Sequence, residues 1–224
     1  MNILKYFILF SLFFIVVNVQ SQTFNGGILG GLSASQLDGD NWGGYHKVGV
    51  CLGVYTNRQI SSLIDAQLEI RYTQKGSSSN TKKSAGVFYE SNLNYIELPI
   101  SIKYYVLDKL TIQCGLAPGY LQKATENKDG IGNVEASPKF DPFELSVFGG
   151  VEYRLTKQLY INARLNYSVL SVRNHPGNQT YFLNRGQYNN VLTFAFYYQI
   201  NKSNDRKRKK NCDCPKWGKR RGFR

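Results

Sequence analysis

The chain reads as all-β, an eight-stranded antiparallel up-and-down transmembrane β-barrel with a disordered basic C-terminal tail. Three observations predict this: apolar and polar residues alternate over most of the length, long and short connections alternate between the strands, and an apolar leader is followed by no second apolar run of helix-spanning length.

Residues 1–21 read as a signal peptide. Lys5 precedes an apolar run over residues 6–17, shorter than the ~20 residues that cross a bilayer as a helix. Val19 and Ser21 satisfy the small-residue rule for cleavage before Gln22. Any membrane span in residues 22–201 must therefore be built of strands.

The first strand, residues 24–34, is Gly-rich, and the second covers 47–56. The third, 64–73, sets Ile64, Ala66, Leu68, Ile70 and Tyr72 against Asp65, Gln67, Glu69, Arg71 and Thr73. The fourth, 95–106, sets Ile96, Leu98, Ile100, Ile102 and Tyr104 against Tyr95, Glu97, Pro99, Ser101, Lys103 and Tyr105. The fifth, 110–120, is expected to break near Pro118. The sixth, 143–155, carries Glu144, Glu152 and Arg154 on its polar side; the seventh, 159–169, carries Arg164; the last runs from 191 to 201.

Connections 35–46, 74–94, 121–142 and 170–190 are long, whereas 57–63 is moderate and 107–109 and 156–157 are tight. In a meander the two sets lie at opposite ends, the short turns periplasmic and the long loops external.

Alternation alone fits a soluble lipocalin-like carrier equally well. The polar wall decides for the membrane. Its Asp65, Glu69, Glu97, Glu144 and Glu152 nearly balance Arg71, Lys103, Arg154 and Arg164, as expected of a narrow interior in which charges neutralise one another. Tyr and Phe near strand ends (Tyr55, Tyr72, Tyr104, Tyr105, Tyr120, Phe143, Tyr160, Tyr167) fit interfacial girdles. Eight strands enclose a bore that side chains fill, so no wide pore is expected.

The stretches GGILGGLSAS, SLIDAQLEIRYTQKG, YIELPISIKYYV and GLAPGYL resemble the PorT-like outer-membrane β-barrel proteins of Bacteroidetes, over about residues 23–201. The resemblance implies an eight-stranded outer-membrane barrel and no shared activity.

Few residues offer chemistry. His46 and His175 fall in external loops; an esterase-like set could draw on Ser168 or Ser171 with Glu152, but no motif fixes its geometry. Asp38, Asp40 and Asn41 lack the spacing and distal Glu of a calcium loop and read as a turn beside Trp42 and Tyr45. Cys51 and Cys114 read as packing residues; Cys212 and Cys214 make too few ligands for a metal. No cofactor or metal is expected.

The formal charge of +13 is concentrated in residues 202–224, where eleven Lys or Arg and two acids give +9. Export argues against nucleic acid as the partner. Arg206, Lys207, Arg208, Lys209, Lys210, Lys219, Arg220 and Arg221 are expected to lie in the periplasm, facing an acidic protein, the cell wall or anionic lipid. The expectation is thus a non-enzymatic integral barrel bathed in outer-membrane lipid, acting through its external loops and periplasmic tail. The rival readings are an outer-membrane lipid-modifying enzyme and the soluble carrier.

Overall fold

The computed structural model describes residues 24–40, 42–79, 88–128, 130, 132–174 and 186–200. The leader, the tail with its eight named bases and Cys212 and Cys214, and also Asn41 and His175, lie outside these residues.

Among the described residues ten strands follow in chain order: β1 (Phe24–Asp38), β2 (Lys47–Gln59), β3 (Ile64–Ser78), β4 (Tyr89–Glu97), β5 (Ile100–Tyr105), β6 (Leu110–Lys128), β7 (Val134–Glu135), β8 (Phe143–Arg154), β9 (Leu159–Ser168) and β10 (Tyr188–Gln199). All pairings are antiparallel. β4 and β5 are two halves of one stave, both lying between β3 and β6, and β7 is a short addition to β6. The wall therefore has eight staves. It closes where β1 meets β10, from Gly27 opposite Gln199 to Asp38 opposite Tyr188.

The chain breaks its ladder at Pro99, not near Pro118. β6 runs unbroken through Pro118, which stays in register with Leu145 and accepts the Leu98 N–H through its carbonyl (2.8 Å). Pro99 has no N–H to give and separates β4 from β5, while its carbonyl still accepts from Glu69 (2.9 Å).

The short turns 60–63, 106–109 and 155–158 lie at one end. Two are tied by a hydroxyl: Ser61 accepts from the N–H groups of Leu63 and Ile64, and Thr156 from those of Gln158 and Leu159. At the other end the staves outrun expectation. β1 continues to Asp38, β3 to Ser78 and β6 to Lys128, and β4 starts at Tyr89, so much of 35–46, 74–94 and 121–142 is wall and not loop.

The sheet is inverted relative to a soluble protein. On β3, Ile70 is 54% exposed and its neighbour Arg71 is 2% exposed. Ile28, Leu32, Leu52, Val54, Ile102, Leu116, Phe194 and Phe196 are likewise exposed, giving the barrel an apolar outer belt. A soluble carrier would turn this wall inward; lipid is the solvent that it fits. Above Tyr72 on β3 and Tyr120 on β6 the outward positions become polar, with Gln74, Gln122 and Lys123, which marks where these staves leave the membrane.

The expected girdles are only partly there. Tyr104, Tyr120 and Phe143 are exposed at the belt's margins. Tyr55 is buried inside, Tyr105 bonds inward to Asp65, and Tyr160 packs against the inner cluster of Leu29, Cys51, Tyr55, Ala195 and Tyr197. The parity of each strand, set by its charged members, overrides the preference of tyrosine for an interface. Cys51 fills that interior cluster, but Cys114 is exposed on the outer wall and is not an interior packing residue.

Since the wall is closed by Gln199, removal of residues 203–224 should leave assembly intact. The truncated protein is expected to keep the heat-dependent gel mobility shift of the full chain, and loss of the shift would show that the tail is needed to fold.

Candidate functional site: a charged interior and a capped outer mouth

Alternation sends every second residue of each stave into the bore, and the bore brings together residues far apart in sequence. Arg164 on β9 forks onto Glu69 on β3, at 3.2 and 2.7 Å, with Gln67 (2.6 Å) and the Tyr197 hydroxyl (3.2 Å) donating to the same carboxylate. The Arg164 guanidinium lies 4.2 Å from the centre of the Phe148 ring. Arg71 donates to Glu97 (2.6 Å) and to Asn166 (3.2 Å), and Thr73 also donates to Glu97 (2.9 Å). Lys75 joins Glu97 (2.6 Å) to Glu144 (2.9 Å), and Ser168 donates to Glu144 (2.6 Å). Nearer the short turns, Lys103 holds both oxygens of Glu152 (2.8 and 2.7 Å), and Tyr105 donates to Asp65 (2.7 Å).

Eight of the nine interior charges named from the sequence are thus buried; Arg154 is half-buried at the short-turn end of β8, beyond the ion pairs. Alternation had placed Lys75 in a loop, although it continues the parity of Arg71 and Thr73. Space for the large cations comes from glycine on the neighbouring stave. Gly53 stands opposite Arg71, and a Cβ there would lie 2.7 Å from the Arg71 Cβ; Gly150 stands opposite Arg164, where it would lie 3.2 Å from the Arg164 Cβ.

A second cluster closes the outer mouth. The register of β6 shifts between Leu121 and Lys123 opposite Asn94 and Tyr95, so that Ala124 and Glu126 follow Leu121 inward despite their even numbers. Leu37, Leu93, Tyr95, Ala136, Phe140 and Val172 form an apolar plug there. Over it Arg173 pairs with Glu126 (2.5 Å), donates to Gln187 (2.8 Å) and covers the Phe140 ring at 4.0 Å. Tyr89 donates to Glu126 (3.0 Å) and stacks on Trp42. Neither Glu126 nor Arg173 was legible from alternation: the bulge resets the parity of one, and the other lies beyond β9.

These cap groups stand above the apolar belt, where water reaches their surroundings. Burial by itself would raise the Glu126 carboxyl, but the bond and charge of Arg173 outweigh it and hold it below the usual value. Burial, with Glu126 beside it, pushes the Tyr89 phenol up to about 12. Burial also raises Asp40 to about 6, against the pull of the Trp42 N–H and Arg173.

Of the catalytic and calcium candidates, His175 and Asn41 lie outside the described residues, and the others are placed as follows. His46 is exposed, and Ser168 is buried, donating to Glu144 and accepting the Asn189 N–H (3.1 Å). Asp38 accepts from Gln36 (2.6 Å) and Asn190 (3.2 Å), and Asp40 accepts the Trp42 N–H (2.8 Å) after Gly39 at φ 94°. That is a turn. Among the described residues no three His, Cys, Asp or Glu side chains group as metal ligands.

Two outcomes are expected from this geometry. Glu97→Leu strands Arg71, leaves Lys75 on Glu144 alone and should cost about 3–5 kcal/mol of stability, whereas Glu97→Leu combined with Arg71→Met, which keeps the pair of Lys75 with Glu144, should recover most of it; urea titration of the barrel refolded in vesicles reads both. For the cap, a lowered Glu126 contributes stability that is lost as pH falls below about 4.5 and through its folded value. A raised Asp40 acts in the opposite sense, with stability lost as pH rises through about 6. Protection of the Val172 amide, corrected for the intrinsic exchange rate, should therefore be highest near pH 4 and fall as pH rises to about 6, and Asp40→Asn should abolish that fall.

The family model described as an outer membrane protein beta-barrel domain matches residues 20–173. No curated protein matches the sequence significantly. Among solved structures the chain is similar to Ail, the attachment invasion locus protein of Yersinia pestis, crystallised with the heparin analogue sucrose octasulfate, at 11% identity and a TM-score of 0.49, covering 79% of this chain and 99% of that one. It is similar to Neisserial surface protein A at 11% identity and a TM-score of 0.49, over 80% and 99% of the two chains. OprG from Pseudomonas aeruginosa follows at 13% identity and 0.36, over 79% and 94%. The closed eight-stave wall, its apolar outer belt and the family match together place this chain in the outer-membrane β-barrel domain family.

Proposed function

We propose that the protein is a non-enzymatic outer-membrane barrel that serves as a binding or assembly element and conducts nothing of solute size. The observation that carries this is the filled bore. From Asp65 near the short turns to Arg173 at the outer mouth, inward side chains pair with one another, and an apolar plug lies beneath the cap. What remains available for function is the two ends.

Among the described residues the outer end presents 39–40, 42–46, 132–142, 169–174 and 186–187 around the cap. Trp42 and the exposed Tyr45 stand on that rim, the latter donating to Asn190 (2.7 Å). Aromatic groups held in place by hydrogen bonds suit contact with a macromolecular partner. At the other end the tail of residues 202–224 supplies a basic contact for an anionic periplasmic partner. The YIELPISIKY stretch and the Gly-rich first strand support a finer placement among the PorT-like barrels.

Planar-bilayer recording of the purified protein tests the filled bore. Conductance of porin size is not expected, and its appearance would overturn the reading. The enzymatic rival predicts that His175→Ala abolishes a lipid-modifying activity of the purified protein; we expect no such activity to be there to lose.

A further inference from the structure

The upper ends of β1, β9 and β10 bring five outward positions side by side. Across the closing seam Asp38 stands opposite Tyr188 and Gln36 opposite Asn190, and Asn190 in turn stands opposite Tyr167. Tyr45, exposed on the connection after β1, reaches the same patch and donates to the Asn190 carboxamide oxygen (2.7 Å). Asp38 accepts from Gln36 (2.6 Å) and from Asn190 (3.2 Å), and Gln36 accepts the Gly44 N–H (2.8 Å). The Tyr167 phenol also lies against Asp38. Its ring stacks on that of Tyr188 with centres 6.2 Å apart, Tyr188 buried and Tyr167 half-buried.

The level of this patch identifies what it meets. Leu165 and Leu192 are the next outward residues below Tyr167 and Asn190, and Leu165 and Phe194 are exposed members of the apolar belt. One outward step along a strand covers about 7 Å. A bilayer of ~40–45 Å around a hydrocarbon core of ~30 Å leaves about 5–7 Å for the headgroups on each side. The patch therefore stands at the height of the outer-leaflet headgroups, turned sideways toward lipid and not upward toward the loops.

Its chemistry is selective. Asp38 carries the one charge among the outward positions of β1, β9 and β10, so a phosphate would meet a carboxylate with no outward cation on these staves to offset it. The Gln36 and Asn190 amides each keep a second N–H, while the Asp38 carboxylate and the Tyr45 oxygen keep acceptor capacity. Donors and acceptors set side by side suit a group that is both, the hydroxyl. The tyrosine rings beside them suit the apolar C–H face of a sugar.

We propose that this patch binds the sugar headgroup of a glycolipid in the outer leaflet. The inference goes beyond the reading of the loops as a partner surface and does not depend on it, because the residues that carry it lie on the lateral wall.

The test uses the full chain refolded in phosphatidylcholine nanodiscs that contain a minority of digalactosyl diacylglycerol. Native mass spectrometry then counts the lipids that stay on the barrel when the disc is stripped. The glycolipid is expected to be retained in preference to phosphatidylcholine. Asp38→Ala and Asn190→Ala should each lower that preference about tenfold, the worth of one hydrogen bond to a charged group. Gln122→Ala, outward across the barrel on β6, should leave it unchanged. The heat-dependent gel shift reports that each variant is folded, and Tyr45→Phe, which removes only an exposed hydroxyl, serves where a strand variant fails to fold. No preference, or one that these folded variants leave intact, overturns the proposal. An equal loss in Gln122→Ala also overturns it, since the contact would then belong to the whole rim. If phosphatidylethanolamine is retained in the glycolipid's place, the ligand is an ammonium drawn to Asp38 and the sugar assignment falls. If an equal concentration of free digalactose displaces the glycolipid, recognition does not need the lipid and the outer-leaflet source falls.

Discussion

A bore eight strands wide has room for side chains and almost none for bulk water, so any charge turned inward must find its counter-charge on another stave. This requirement organises the molecule. It explains why Arg164 reaches from β9 to β3, why Lys75 bridges two carboxylates, and why Gly53 and Gly150 stand opposite the two buried guanidinium groups. It also fixes the outer surface. With one residue parity committed to the ion pairs, the other is left to face lipid and is apolar throughout the belt.

The central part of the fold was legible because charge and parity agree there. On β3 and β9 every inward residue is polar and nearly every outward one apolar, so the faces separate without knowledge of the partner strands. The ends of the staves were not legible in the same way. Above Tyr72 both faces of β3 are polar, since one meets the interior and the other water, and a strand with two polar faces looks like a loop; Gln74 is one such outward residue. Above Tyr120 the bulge in β6 breaks the alternation between the inward Leu121 and Ala124. The charges at the strand centres could be assigned to the interior, but Lys75, Glu126 and Arg173 lay beyond the range over which alternation carries information.

The cap and the interior work by different rules. Inside the belt, pairs are enclosed on all sides by wall, and they stand or fall together because Glu97 serves both Arg71 and Lys75. At the mouth, Glu126, paired with Arg173 and Lys128, sits over apolar side chains contributed by β1, β4 and the segments after β7 and β9. The upper layer can therefore loosen without disturbing the lower one. Local opening at the outer surface and global unfolding in the membrane are separate events for this barrel.

Closure of β1 onto β10 has a consequence for how such a chain comes to exist. The pairing of Gly27 with Gln199 joins nearly the first and last residues of the wall, so two open strand edges persist until the final stave is delivered. Until then Arg164 on β9 has no enclosed route to Glu69 on β3, and the interior charges face an incomplete, wet trough. An interrupted polypeptide keeps both its sticky margins and its unburied ions, so the last stave supplies the missing edge pairing and the enclosure of the charges together.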